Sequence, residues 1–458
     1  MASPAVLGRG NLQKLLLSYS GPAILAMMAS SIYNIIDSIF IGHGVGALAL
    51  SGLAITMPIM NLSAAFGAMV GAGGATLTSI KMGQQDYDGA THVLGNVVTL
   101  NLILGFALMF LGLYFIDELL SLFGASSETI PYARDFMQII LFGNPVTHLY
   151  LGLNNEIRAS GYPQKAMRIT LLTVVINAVL APIFIFVFNW GIRGAALATV
   201  LAQTVALIVV VIHLCNPKYF LHFKRGIFSI NKRITSGILS IGMAPFTLHT
   251  CSCIIVILIN NQLAKHGGDM AVGAYGVVNR LVMFFATVVM GLNQGMQPIA
   301  GFNYGAQIYS RVRKVLKLTI IYGILVMTIA FALGETIPGL LVKMFTNDEE
   351  LIAQSTLGLR ITVIIFPLVG YQMVTSNFFQ SIGKAPTAVL LSASRQLLIL
   401  IPLLAILPNY LGTLGVWISM PISDGLSTIL SFVLLKREMK KFSKLEDKPF
   451  NLPDEPSK

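Results

Sequence analysis

The sequence predicts an all-α polytopic membrane protein, with twelve transmembrane helices in two six-helix pseudo-repeats around a central cavity. Three observations predict it. Long apolar runs recur from one end of the chain to the other; 55% of the residues are hydrophobic and only 11% are charged; and the two halves match in register. A water-soluble domain carries about 25% charged residues, so this chain has no ordinary water-facing exterior.

The apolar runs fall at roughly 15–41, 47–79, 93–116, 136–156, 166–188, 194–214, 234–264, 271–300, 315–338, 352–380, 386–407 and 412–435. Each is near the ~20 residues that a helix needs to cross a bilayer. The runs 47–79 and 234–264 are long enough to tilt or kink. Residues 1–13 lack a basic segment followed by a small-residue cleavage site, so the first run is expected to stay as a helix.

The net charge of +11 is not a nucleic-acid footprint. Lys and Arg gather in alternate loops, among them Lys14, Lys81, Arg158, Lys165, Arg225, Arg233, Arg313 and Lys384. The opposite loops hold Arg134, Arg193, Lys265 and Lys343 beside acids such as Asp117, Glu118, Asp348 and Glu349. By the positive-inside rule both ends of the chain are then expected in the cytoplasm.

The halves repeat at an offset of about 222 residues. Gly83-Gln-Gln-Asp-Tyr87 matches Gly305-Ala-Gln-Ile-Tyr309, and Gly73, Pro145 and Gly161 fall on Gly295, Pro367 and Gly383. Slipping by one, Gly191 and Gly194 match Gly412 and Gly415, and Gly21-Pro22 corresponds to Ala244-Pro245. Six helices per half keep the repeats parallel, with a cavity expected between them. The division reads as an N-lobe over 1–216, a basic linker over 217–233, a C-lobe over 234–435 and a charged, unstructured tail over 436–458. Two six-helix lobes around a cavity are the architecture of an alternating-access carrier.

Along the first helix, Asp37 is the one formally charged residue between Lys14 and Lys81. An ionised carboxylate at bilayer depth costs about 2.5–3.5 kcal/mol, so it is kept facing protein or a wet cavity and used for ion or substrate handling. Tyr33 and Asn34, at i−4 and i−3, share its helical face. The alternative reading is an Asp that satisfies a kink or an interhelical hydrogen bond. Pro22, beside Gly21, can bend the same helix.

On the following helices Met57, Met60 and Phe66, and in the second half Met283 and Phe284, can line an adaptable apolar cavity. Methionine at helical spacing also serves as packing or lipid contact. Asn293, Gln294 and Gln297 are the polar candidates for the same cavity. In the fifth helix, Asn177 precedes Pro182, which frees backbone carbonyls able to coordinate an ion. The runs 234–264 and 352–380 hold no Asp or Glu, placing ion coupling in the N-lobe.

There is no GxxxxGK[ST], HExxH or GxSxG pattern, so the chain does not read as an enzyme. Three cysteines supply neither a disulfide framework nor a metal cluster, and no cofactor is expected.

At these residues the chain resembles the prokaryotic branch of the multidrug and toxic compound extrusion (MATE) family over about residues 12–440. The resemblance rests on Asp37, Gly83-Gln-Gln-Asp-Tyr87, Arg158-Ala-Ser-Gly161, Gln297-Pro298, Gly301-Phe-Asn-Tyr-Gly305 and Gln380-Ser-Ile-Gly-Lys384. It implies a monomeric antiporter of the bacterial inner membrane, exporting organic, cationic compounds against inward H+ or Na+. Asp37 then matches the family's first-helix carboxylate, Asn177 its fifth-helix amide and Pro22 a first-helix bend; Asp37 with Asn177 is the place for a sodium ion. Many relatives carry a second acid where this chain has Ala181. Two other readings remain: a lipid-linked precursor flippase, which wants a basic cavity, and a receptor or scaffold, which wants an extramembrane domain.

Overall fold

Hydrocarbon offers backbone N–H and C=O groups no partners, so a spanning chain must bond them within itself. The computed structural model describes residues 5–449, apart from the side chains of Ala5, Asn34 and Ala47, and among these residues every regular element is helical. In order they are α1 (Ala5–Arg9), α2 (Leu12–Gly44), α3 (Ala47–Gly83), α4 (Tyr87–Tyr114), α5 (Ile116–Leu122), α6 (Ile130–Ala159), α7 (Pro163–Pro182) and α8 (Gly191–Leu214). There follow α9 (Lys232–Gly305), α10 (Tyr309–Thr336), α11 (Pro338–Lys343), α12 (Glu349–Val363), α13 (Phe366–Ser381), α14 (Ala385–Ala393), α15 (Ile401–Leu411) and α16 (Thr413–Phe442). Two π-helical turns, Ile183–Val187 and Ser394–Leu400, extend α7 and join α14 to α15.

These helices account for the predicted runs one by one. The long α9 contains two spans, because Gly268 leaves the helical region at φ 66°, ψ −165°, between the runs that end at 264 and begin at 271. The tenth run is broken into α12 and α13, bent by 56°. The fourth, α6, is the least apolar, carrying Asp135, Asn144, His148, Asn154 and Glu156.

The repeat is conformational as well as sequential. Gln85 and Gln307 adopt φ of 61° and 58°, Gly161 and Gly383 of 104° and 74°, and Gly191 and Gly412 both of 57°. A glutamine rarely takes the left-handed region, so its recurrence at matched positions marks one turn used twice. In the first half Asp86 caps α4, accepting from the Gly89 amide at 2.9 Å. Lys81 donates to the same carboxylate at 2.6 Å and holds its pKa below the usual carboxylate range. In the second half Ile308 stands before Tyr309, where the first half has Asp86 before Tyr87, and the acid comes from elsewhere: Asp447 accepts from the Ser310 amide at 2.9 Å. The tail is therefore ordered further than its charge suggests. Residues 436–442 continue α16 and the next turn reaches a backbone donor at the start of α10; the remainder of the predicted tail, 450–458, lies outside the described residues.

Packing divides the described chain into two compact units, Leu25–His249 and Ala5–Ile24 with Thr250 onward. In unit one α6 is the hub, packed against α3, α4 and α8. Small residues let the backbones close: Gly105 lies on Pro145, and Gly143 on the Val200 side chain. Gly73 of α3 meets the Ile238 carbonyl of α9, and Gly242 of α9 meets the Met69 carbonyl of α3. Unit two repeats the arrangement, with Gly291 and Gly295 of α9 against Ile24 and Ser20 of α2. The first helix of each repeat thus changes unit part-way along, α2 at Ile24/Leu25 and α9 at His249/Thr250.

These contacts leave no room for a Cβ. Gly242→Val is expected to destabilise the protein by about 1–3 kcal/mol, as overpacking does, and to lower its melting temperature in detergent. Gly276→Val, on α9 with nothing within 4 Å of an added Cβ, should leave the melting temperature unchanged.

Candidate functional site

Unit one brings α2, α7 and α8 together around three polar side chains. Asn177 donates through Nδ2 to Tyr33 Oη and to Thr199 Oγ1, each at 2.9 Å. Tyr33 Oη and Thr199 Oγ1 are themselves 2.9 Å apart, and Thr199 donates to the Ala195 carbonyl at 3.2 Å. By elimination Tyr33 donates to Thr199. The triangle is closed: both amide hydrogens of Asn177 and the one phenolic hydrogen of Tyr33 are used inside it. Asn177 Oδ1 is left as an acceptor.

Asp37 lies one helical turn beyond Tyr33. It is 8% exposed, and its Oδ1 has no hydrogen-bond partner among the described residues. The reading that Asp37 merely satisfies an interhelical hydrogen bond therefore finds no bond at that oxygen. Burying a carboxylate oxygen without a donor is costly, and the hydrogens of Tyr33 and Asn177 are spent within the triangle. The side chain of Asn34 is outside the described residues.

Where relatives carry a second acid, Ala181 is fully buried in an apolar cluster with Ile41, Phe184 and Ile185. The π-helical turn Ile183–Val187 begins directly after Pro182, so the backbone ladder widens at the proline. Pro22 lies inside α2, which runs unbroken from Leu12 to Gly44.

The cavity candidates separate by unit. In unit one Met57 is exposed, Met60 packs on the apolar cluster, and Phe66 meets the Phe246 ring edge-on at 4.9 Å. In unit two Met283 and Phe284 are both more than half exposed, while Asn293 and Gln297 are buried. Asn293 donates to the Met373 carbonyl at 3.3 Å and keeps Oδ1 unpartnered. Gln294 is half-buried beside it on α9.

Several polar groups escaped the sequence reading. Thr199 completes the triangle; nothing in the apolar run 194–214 singles out that threonine. Ser63 bridges Asn144 and His148, at 3.3 and 3.1 Å. Glu156 is fully buried with both carboxylate oxygens unpartnered among the described residues. In unit two Arg395 and Asp424 form an ion pair at 2.5 Å. The signal for the pair was available, since each is a charged residue in the middle of an apolar run. Among the described residues no three His, Cys, Asp or Glu gather as metal ligands.

The triangle makes a measurable claim. In a double-mutant cycle on Tyr33→Phe and Thr199→Val, unfolding in detergent should show a coupling energy of about 0.6–1.7 kcal/mol, the range of hydrogen bonds between membrane helices. Additive losses would mean that the two hydroxyls do not bond.

Comparison with known proteins identifies the family. The MatE family matches residues 22–183 and 245–406, one match in each repeat. The multidrug export protein MepA of Staphylococcus haemolyticus is 28% identical over 426 residues, covering 92% of this chain and 93% of its own. MepA of Staphylococcus aureus strain NCTC 8325 is 26% identical over 422 residues, with 92% and 93% covered. Among solved structures, the MATE multidrug transporter DinF-BH, in complex with a ligand, is 35% identical at a TM-score of 0.87, covering 94% of this chain and 96% of that one. An outward-facing multidrug resistance MATE family transporter of the MOP superfamily has a TM-score of 0.91 at 24% identity, covering 96% of this chain and 99% of that one. The chain belongs to the MatE family: it is a multi-span membrane transporter, not an enzyme, and needs no cofactor.

Proposed function

We propose that this transporter is a multidrug exporter that expels organic, chiefly cationic, compounds by alternating access in exchange for an inward-moving cation, H+ or Na+. Asp37 is the group for which compound and cation compete. The observation that carries the reading is the buried Asp37 Oδ1, which has no partner among the described residues. The curated relatives named as multidrug export proteins, and the solved relative named as a multidrug transporter, support the substrate class.

An ionised carboxylate with an oxygen lacking a donor is the state that a dry site favours least. A proton or a sodium ion supplies the missing positive charge, and Asn177 Oδ1 stands ready as a second oxygen for sodium. An organic cation needs the same negative charge, so the two ligands bind one state of the transporter at each other's expense. Exchange is then set by their differential affinity for the two conformations. Bending of α2 at Pro22, two residues before the helix changes unit, is the movement that Asp37 controls. With Ala181 in apolar packing, coupling runs through this one carboxylate. Met57, Met60, Phe66, Met283, Phe284, Asn293, Gln294 and Gln297 supply the adaptable substrate surface.

In this reading the protein is a monomer in the bacterial inner membrane, with both termini cytoplasmic, and its six-helix lobes span 1–216 and 234–435 about the linker 217–233. A flippase of the same superfamily would need a basic cavity to hold a pyrophosphate. Arg280 of α9 and Arg395, the latter paired with Asp424, are few cations for such a cavity. A receptor role finds no extramembrane domain among the described residues.

Dye efflux from drug-hypersensitive bacteria, under separately imposed proton and sodium gradients, tests the assignment. Asp37→Asn should reduce gradient-driven efflux by at least about tenfold at equal amounts of folded protein, and the gradient that drives the native chain names the ion. Undiminished efflux in Asp37→Asn would remove Asp37 from the mechanism.

A further inference from the structure

Unit two contains a charge arrangement that the exchange at Asp37 does not use. Arg395 stands ten residues into the span Ala385–Leu411, and Asp424 eleven residues into α16. At 1.5 Å per residue each is about 15 Å deep, near the middle of a bilayer core of about 30 Å. A guanidinium at that depth is expensive and is kept for a purpose.

The pair is unequal. Asp424 is almost wholly buried, whereas the Arg395 side chain is 29% exposed. The ion pair runs from Nε to Oδ1, at 2.5 Å. Among the described residues the two Nη atoms meet no acceptor, so four N–H donors remain on the open edge of the guanidinium. The residue is also held from behind, where Ser423 donates to the Arg395 carbonyl at 2.6 Å. Next to it in the π-helical turn, Gln396 is anchored on Ser252 at 3.0 Å and keeps Oε1 buried and unpartnered. A pair built only for stability would spend its donors. This one fixes the arginine and leaves its fork open.

We propose that Arg395 is an anion-accepting subsite of the exporter, which admits amphiphilic compounds carrying a carboxylate, above all zwitterions, with Asp424 as the positioning residue behind it. A carboxylate takes two parallel N–H bonds from the Nη edge, the geometry in which arginine and carboxylate fit best. Asp424 keeps the empty subsite neutral, so a cationic compound is not repelled when it binds elsewhere. The proposal rests on the export reading above.

Rhodamine 110, with a free carboxylate, and rhodamine 123, its methyl ester, differ at the group in question. Their binding to the purified full-length transporter is followed by fluorescence polarisation, and their uptake by everted vesicles. Arg395→Gln should weaken rhodamine 110 by about tenfold, as loss of a charge-assisted pair does, and leave rhodamine 123 within about twofold. Arg395→Lys should fall between, keeping the charge but losing the fork. Asp424→Asn, which leaves the guanidinium uncompensated, should tighten rhodamine 110 relative to rhodamine 123, an inversion that a merely structural pair would not give. Equal losses for both dyes, no change for either, or a native chain that does not bind rhodamine 110 would overturn the subsite. Native vesicles that accumulate neither dye would overturn the export reading itself. Uptake of rhodamine 123 with rhodamine 110 indifferent to Arg395 would overturn the subsite alone.

Discussion

Hydrocarbon supplies no hydrogen bonds, so a polar side chain inside the bilayer is paired within the protein or marks a place where something must arrive. This constraint sorts the interior. Tyr33, Asn177 and Thr199 pair among themselves and tie α2 to α7 and α8. Asp37, one turn away, has an oxygen with no partner among the described residues. The triangle uses the hydrogens of Tyr33 and Asn177 within itself, and neither is donated to Asp37.

A second constraint comes from packing. Lipid tails are as apolar as leucine, so helices associate through close contact of small residues. The glycines at 73, 242, 291 and 295 provide that contact, Gly73 and Gly242 between α3 and α9 within unit one and Gly291 and Gly295 between α9 and α2 within unit two. Asp37 is on the part of α2 that belongs to unit one, while the part before Leu25 belongs to unit two.

The fold was legible because its causes are local. Apolar runs of spanning length set the helices, and the gap at 264–271 foretold the break at Gly268. The repeat was visible because Gly161 and Gly383 stand where a left-handed turn favours glycine, and because Gln85 and Gln307 recur in one uncommon turn. Asp37 stood out as the lone charge in its region. Thr199 did not, since its role depends on which helix faces it. Arg395 and Asp424 each lie at mid-span by the same logic as Asp37, but their meaning lies in the partner on another helix. Nor does methionine spacing tell which side of a helix faces lipid, and Met283 and Phe284 prove widely exposed. The Asp447 cap belongs to the same class, since composition describes a solvated tail but not the backbone amide of Ser310 that it finds.

The central claim is that compound and cation compete for Asp37, and linkage makes the competition visible in binding alone. The measurement is the affinity of the purified transporter for a permanently cationic dye, taken across pH at fixed sodium and across sodium at fixed pH. The account predicts that the dye binds more weakly as one of the two cations rises, and that the dependence vanishes in Asp37→Asn. Dye affinity indifferent to both cations in the native chain, or a dependence that survives in Asp37→Asn, would contradict it.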